Sequence, residues 1–430
     1  MEKRRLLAIF VALFLLAPIP SAIRVKAQAE KLVLVGPVYT READMVMKGF
    51  KEYYKRTFGK DIDVSYLHPG GWPVCVDKVR SWRGHPDADV FFGAGAPAHE
   101  VLKAEGLVIK YKPKDWDKIP LTWHGMLVKD PEGYWTPFSL WLITNIYNEE
   151  VVKMLGIPVP KTWDDLLKPI YRGLIVHTLP YASGTMHETC EVILQSRGWD
   201  KGWAYLRRLA VNLIRFSTGS TDTTLIVERG EAAIGVAQPQ MNAMMARADG
   251  YPVKAIVPDV TILVPESVAI LKNAPHLKNA KIFVDWLLSM EGQKYVLMGG
   301  YFPARKDFNF SDYVDEIPMA KHAIEAIGVD NFYKITGVKI LAYNLTLAKI
   351  RWDKVNDYYE KEIYRKWDEL KDTWWNYIIP AQEAIKAAQQ KGMDVTQALS
   401  KLNIAMAAFD KGELAKARSF AQEALSLVKG

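Results

Sequence analysis

The chain has 430 residues, 49% of them hydrophobic, 24% charged and 11% aromatic, a globular composition with material for two or three domains. Its formal charge is +7; Lys3, Arg4, Arg5, Arg24 and Lys26 against Glu2 place +4 of that in residues 1–29 and leave +3 for the rest. So mild and evenly spread an excess excludes a nucleic-acid footprint.

The first segment reads as an address, not as part of the fold. Glu2-Lys3-Arg4-Arg5 precedes an apolar run over 6–16, and small residues follow at Pro20-Ser21-Ala22 and Ala27-Gln28-Ala29. A charged start, a short apolar core and a small-residue exit describe an export signal over 1–29. The run is shorter than the ~20 residues of a membrane span; left uncleaved, it would serve as an anchor. The expected location is the extracellular face of the membrane or the periplasm. Cys75 and Cys190 are the only cysteines. In an exported chain they are either bridged or two separately buried thiols, and no metal-ligand spacing involves them.

Residues 31–35 are the first predicted strand, and an amphipathic helix follows over 41–58. Residues 62–67 alternate as a second strand. His68-Pro69-Gly70-Gly71-Trp72 then turns into a helix ending near Trp82. Residues 88–92 are a third strand, ended by Gly93-Ala94-Gly95-Ala96 and followed by a helix through Leu102. This βαβαβ order predicts a parallel, doubly wound sheet, whose ligands sit beyond the carboxyl ends of the strands. All three loops lie at that end, with Tyr39, Thr40, Arg41, Gly70, Gly71, Trp72, Gly93, Ala94 and Gly95. No GxGxxG or GxxxxGK[ST] occurs, so nucleotide binding has no support.

Residues 135–148 read as a long strand, a helix follows over 149–155, and Thr162 is a candidate cap of the next one. The same device then occurs twice. A strand at 174–177 leads through Ser183-Gly184-Thr185 into a helix from Met186. A strand at 213–216 leads through Ser217-Thr218-Gly219-Ser220-Thr221 into a helix over 222–229. Glycine lets the backbone approach a ligand. A helix start leaves N–H groups unpaired, with a partial positive charge behind them, and the hydroxyls add donors. Either unit alone reads equally as an ordinary capped helix; two in succession read as one neutral cradle for an anion. The block ends near Met245, residues 251–257 lead back, 267–271 are one more strand, and 279–289 a helix.

Several short motifs occur in a telling order. They are Trp135-Thr136-Pro137 to Tyr147-Asn148, Pro160-Lys161-Thr162-Trp163-Asp164-Asp165-Leu166, Ser183-Gly184-Thr185, and Gly230-Glu231-Ala232-Ala233-Ile234-Gly235. Val264-Pro265-Glu266-Ser267-Val268-Ala269-Ile270, a segment over 280–289 with Glu291-Gly292-Gln293, and Phe302-Pro303-Ala304-Arg305 complete the set. Over residues 30–310 the chain resembles the ferric-type and phosphosugar-type solute-binding proteins of ABC importers. The resemblance implies an α/β fold of periplasmic-binding-protein type 2 architecture, two hinge-linked lobes closing on a small solute. It places lobe 1 at 30–140, completed by 254–310, and lobe 2 at 141–253, with crossings near 139–142 and 253–257. It also implies ABC importer permease subunits as partners and a binding protein, not an enzyme. No cofactor or metal is expected, and a monomer is.

Iron-binding members of that family carry two adjacent tyrosines after the Gly-Glu-x-x-Ile-Gly segment. Here Val236-Ala237-Gln238-Pro239-Gln240-Met241-Asn242 offers only amides, whereas Fe(III) takes hard oxygen ligands. The hydroxyl-Gly-hydroxyl turns resemble the anion-binding branch, whose members take phosphosugars or phosphonates. The expected solute is a small anion, phosphorylated, phosphonate or carboxylate, held by Ser183, Gly184, Thr185, Ser217, Thr218, Gly219, Ser220 and Thr221. Arg41 would neutralise it, though a solvated helix-start arginine is the favoured reading; Trp72 would cover it, and reads equally as an aromatic packed under a loop. A ferric or divalent-metal receptor is the alternative within the class. His68, His177 and His187 fall near the expected cleft with Glu188, though no HxH or HExxH spacing joins them. The alternative from another class is an exported serine hydrolase using Ser183 or Ser217 with His187, but no GxSxG elbow occurs.

Residues 311–430 read as an all-α C-terminal extension outside the resemblance. Apolar positions from Leu345 to Trp374 follow helical spacing, Pro380 begins another helix, and 394–428 read as a hairpin pivoting on Asp410-Lys411-Gly412-Glu413. One such pair is too little for a solenoid. The roles open to it are capping the first lobe, dimerisation and permease contact. Trp374-Trp375 reads either as a membrane-facing or as a buried pair. Asn309-Phe310-Ser311 and Asn344-Leu345-Thr346 match the glycosylation acceptor pattern.

Overall fold

The computed structural model describes residues 30–429, so the expected export signal lies outside the described residues. Strand β1 (Glu30–Val35) leads into helix α1 (Thr40–Phe58), which Gly59 ends with a left-handed φ of 63°. Then come β2 (Ile62–Leu67), α2 (Trp72–Ser81), β3 (Val90–Phe92) and α3 (Ala96–Ala104). β1 pairs in parallel with both β2 and β3, as the βαβαβ order predicts.

β4 (Thr136–Asn148) is thirteen residues long and buried along almost its whole length, because elements cover both of its faces. It is followed by α4 (Glu149–Leu155), β5 (Ile175–Thr178), α5 (Gly184–Arg197), α6 (Trp199–Ala210), β6 (Leu213–Ser217), α7 (Ser220–Glu228), β7 (Ile234–Pro239) and α8 (Met241–Ala248). The return path holds β8 (Val253–Ile256), β9 (Val260–Thr261) and β10 (Leu263–Ile270). The main sheet runs β2-β1-β3-β10-β4-β7-β5-β6. Two parallel triplets, β2-β1-β3 and β7-β5-β6, are thus joined through the antiparallel pair β10-β4. β4 passes from one half to the other where the first crossing was expected. The stretch 253–257, expected as the return crossing, is instead taken up largely by β8, antiparallel to β4 at Asn145–Asn148. The chain changes halves just after it, between Ile256 and Leu263.

The rest is mainly helical: α9 (Leu277–Leu287), α10 (Met290–Met298), α11 (Pro318–Ile327), the two-residue β11 (Lys339–Ile340), α12 (Leu345–Ile350), α13 (Trp352–Tyr359), α14 (Trp367–Asp372), α15 (Ile379–Gln390), α16 (Thr396–Asp410) and α17 (Leu414–Ser426). β11, parallel to β9, departs from the all-α expectation for 311–430. The extension does more than cap the first half. Ile317, Ala320, Phe332 and Ile340 pack into the core built on Phe50, Phe138 and Phe283, and Arg247 of α8 reaches Glu325 of α11 at 2.7 Å. From Val355 onward the chain packs into the other core, with Trp163, Trp203 and Leu206. Arg207 donates to the Asp410 carbonyl at 2.6 Å, and Arg208 grips the Asp410 carboxylate with two bonds. Trp374 and Trp375 are each 7% exposed, and the Trp375 indole donates to the Val211 carbonyl, so the pair belongs to the core and not to a membrane face. Cys75 and Cys190 are both free and buried.

Two histidines lie fully inside these cores. His99 meets the Gly93 carbonyl at 2.9 Å, and His177 sits between the Thr178 carbonyl and the Tyr359 hydroxyl. Burial pushes both rings down to about 4 from 6.5. The unfolded chain takes up these protons near pH 6.5, the folded chain only near pH 4. Stability is therefore full above pH 6.5 and falls through that window, by about 3 kcal/mol per histidine. Urea midpoints should drop steadily from pH 7 to pH 4, and His177→Gln should flatten the slope. A midpoint level across that range would contradict the assignment.

Candidate ligand-binding site

Parallel pairing of β5 with β6 brings the two hydroxyl-Gly-hydroxyl turns together, with Thr178 opposite Ser217 at the carboxyl ends. Ser183 caps α5, its Oγ accepting the Met186 N–H at 3.3 Å. α7 begins at Ser220 with no side-chain cap. The Ser183 and Ser220 hydroxyls are hydrogen-bonded to each other at 2.6 Å. Both helix starts open on one cavity of about 700 Å³, lined by Ser183, Gly184, Thr185, Thr218, Gly219, Ser220 and Thr221, with Tyr39 from the leading half. The first N–H groups of each helix have no acceptor within it. A Cβ added at Gly184 or Gly219 would meet no heavy atom within 4 Å, so both glycines leave the cradle open.

Asp222 also lines this cavity. Its carboxylate accepts from the Thr218 N–H at 2.8 Å and the Thr218 hydroxyl at 3.0 Å. Those two donors are occupied, and the acid is held at a helix start, where the backbone dipole favours it. The donors left for a guest are the N–H groups of Gly184, Thr185, Ser220 and Thr221 and the hydroxyls around them.

The remaining candidates divide. Ser217 does not reach the cavity: it is buried, its Oγ bonded to Thr223 at 2.5 Å and to the Gly219 carbonyl at 3.3 Å, so it shapes the turn. Trp72, Ala94 and Gly95 line a second cavity of about 410 Å³, which shares Tyr39, Gly184 and Thr185 with the first. Thr40, Arg41, Gly70, Gly71 and Gly93 line neither cavity. Arg41 is exposed, as the solvated helix-start reading expects. Gly93 serves the backbone, with a φ of 100° and a Val38 side chain where its Cβ would be.

Residues 85–322, more than half of the chain, match the family model of bacterial extracellular solute-binding proteins. The chain belongs to that family. An uncharacterised Haemophilus influenzae protein is 31% identical to it over 243 residues, 56% of this chain and 69% of that one. A Salmonella typhimurium protein provisionally named as 2-aminoethylphosphonate-binding and periplasmic is 26% identical over 306 residues, covering 69% and 84%. Among solved structures, the periplasmic binding protein AfuA of Actinobacillus pleuropneumoniae, with fructose-6-phosphate bound, superposes with a TM-score of 0.58 at 22% identity, over 78% of this chain and 99% of that one. Iron-bound HitA of Pseudomonas aeruginosa superposes with a TM-score of 0.53 at 19% identity, over 65% and 87%. At these identities the structures speak for the fold: a type 2 periplasmic binding protein carrying extra C-terminal helices. The chain is a solute-binding receptor of an ABC importer, and its family works outside the cytoplasm. No helix among the described residues is long and apolar enough to cross a membrane.

In this receptor the place of the iron-type tyrosines is a buried amide network. Gln238 accepts from the Thr224 hydroxyl at 3.0 Å and the Asn242 amide at 3.1 Å, and the Ala237 N–H donates to Asn145. The three candidate histidines do not converge. His68 meets the Gly36 carbonyl, His177 is enclosed beside Tyr359, and His187 stacks on Trp352 at 3.6 Å with its Nδ1 on Asn356. Among the described residues no three His, Cys, Asp or Glu side chains gather as a metal site requires. Glu188, paired with the histidines in the sequence reading, instead faces the second cavity with Trp141 and Glu266. Burial, then the charge of Glu266, pushes the Glu188 carboxyl up to about 7. Sequence reasoning missed Trp141 and Glu266 as lining residues, along with Leu341, Tyr343 and Leu345 of the extension. Trp141 and Glu266 lie inside stretches that carry the family resemblance, but those stretches assign them no role, and no motif marks the other three.

Proposed function

We propose that the receptor binds a small anionic solute, with a phosphate, phosphonate or carboxylate head, in the cradle between Ser183-Gly184-Thr185 and Thr218-Gly219-Ser220-Thr221. The observation that carries this reading is the 2.6 Å contact between Ser183 and Ser220, which sets two helix starts on one cavity. Backbone N–H groups and dipoles of that kind suit an anion without a counter-charge. A relative named for a phosphonate supports it, as does a neighbour in fold that is solved with fructose 6-phosphate bound. The absence of tyrosine from residues 236–242 weighs against ferric binding. The reading is of a receptor, not an enzyme: the Ser183 hydroxyl is shared with Ser220 and Met186, while the His187 ring engages Asn356 and Trp352. The lobes expected at 30–140 with 254–310 and at 141–253, with residues 254–256 passing to the second lobe because β8 pairs with β4 there, close by a hinge at β4 and the link from Ile256 to Leu263. The loaded monomer then meets a permease at the outer face of the membrane, where an uncleaved 1–29 segment would tether it.

Titration calorimetry with fructose 6-phosphate and 2-aminoethylphosphonate tests the site. Ser183→Ala with Ser220→Ala should weaken the better of the two at least tenfold, since each hydroxyl bond to a charged acceptor contributes ~1.5–3 kcal/mol. Melting should shift by no more than about 2 °C. Wild-type affinity in the double variant would remove the cradle from the site.

A further inference from the structure

The second cavity has a chemistry opposite to the cradle's, and part of its wall lies beyond the family match, which ends at residue 322. Tyr39, Gly184 and Thr185 border both cavities, so one solute can lie across the two. The second cavity presents the rings of Tyr39, Trp72, Trp141, Tyr301 and Tyr343. It also presents the carboxylates of Glu100, Glu188 and Glu266, and among the described residues no lysine, arginine or histidine lines it. Glu188 stands three residues after Thr185 on α5 and so on the same helix face. Glu266 is 8% exposed; its oxygens take the Ala94 N–H at 2.6 Å and the Trp141 indole at 3.3 Å, both neutral donors. Glu266 is buried without a cation, Glu188 is half-buried and Glu100 is exposed; a buried carboxylate without a cation is unfavourable, and a positively charged guest would relieve it. Aromatic rings around the same space favour such a guest through their faces.

The extension fixes one side of this space. Leu341 donates its N–H to the Thr261 carbonyl at 2.8 Å, next to the β9–β11 pairing. Asn344 is clasped by Gln195 of α5, N–H to Oε1 at 2.8 Å and carbonyl to Nε2 at 3.2 Å. Tyr343 is therefore held between an anchor near β10 and an anchor on α5, the helix that carries the cradle. We propose that this cavity takes the far end of the solute and that this end bears an ammonium group, with Glu188 and Glu266 as its charge partners and Tyr343 as one wall of an aromatic cage. The bound solute is then a small zwitterion. This rests on the cradle taking the anionic end.

Calorimetry with two matched pairs tests it: 2-aminoethyl phosphate against ethyl phosphate, and 3-aminopropyl phosphate against propyl phosphate. In the wild-type protein the amine-bearing member of at least one pair should bind about tenfold tighter or more. Glu188→Gln and Tyr343→Ala should each bring that ratio close to one, while Tyr343→Phe, which keeps the ring, should preserve it. Melting curves establish that each variant is folded. Equal affinity within both pairs overturns the ammonium subsite and leaves the anion cradle standing. Binding of no member at all overturns both. A ratio that survives in both Glu188→Gln and Tyr343→Ala overturns the assignment of these residues.

Discussion

Gly219→Phe should abolish solute binding, with a loss of about a hundredfold or more, while the protein stays folded. Gly219 has φ 179° and ψ 176°, extended backbone that any residue adopts. A Cβ there meets nothing within 4 Å, and the residue lines the cavity between the two helix starts. A phenyl ring would thus occupy the place of an anionic head group instead of colliding with the core. The measurement is calorimetric affinity beside a melting curve. A folded Gly219→Phe protein that still binds its solute at wild-type strength would rule out the cradle as the site, whatever the hydroxyl variants did.

The largest effect on stability is expected at Arg351→Ala. Arg351 of the extension meets Glu191 of α5 with contacts of 2.8, 3.0 and 2.6 Å, and the Glu191 side chain is 0% exposed. Removing the arginine leaves a carboxylate inside the fold without its partner, a cost of about 3–5 kcal/mol. Replacing both groups with neutral ones of similar shape, Arg351→Met with Glu191→Gln, should recover most of that loss. Urea denaturation of the three proteins separates these cases. A single variant within about 1 kcal/mol of wild type would mean that the pair is not closed in solution. Binding should weaken along with stability in Arg351→Ala, because α5 presents Ser183, Gly184 and Thr185 at its other end.

The cradle was legible because its signals are local. Glycine and hydroxyl residues at a strand-to-helix junction act on the backbone beside them, and β5 and β6, as parallel neighbours, bring the two junctions into contact. The same locality explains the misses. Ser217 sits in the right turn, yet its hydroxyl faces Thr223, and nothing in the turn's composition tells an inward hydroxyl from an outward one. Arg41 opens a helix at the expected end of the sheet, but its side chain goes to solvent. The second cavity was illegible because it is assembled from distant stretches, from Pro37 to Leu345, each with an ordinary local pattern. Trp141 read as a strand residue, Glu266 as the residue just before a strand, and Tyr343 as part of a tail. The position of β8 also escaped the pattern, since a four-residue strand looks the same whether it crosses between halves or runs beside β4.

Trp203 packs against Tyr358 with ring centroids 4.3 Å apart, and Trp374 and Phe409 meet at 4.8 Å in the same core. The span that the family model recognises is therefore not a free-standing unit in this chain. Cut after residue 322, it would present a broad oily flank to water and clump. Any cousin that ends where the family pattern ends must wear hydrophilic side chains where this one has Trp203 and Leu206, so the composition of that flank alone would reveal which cousins ever carried the added helices.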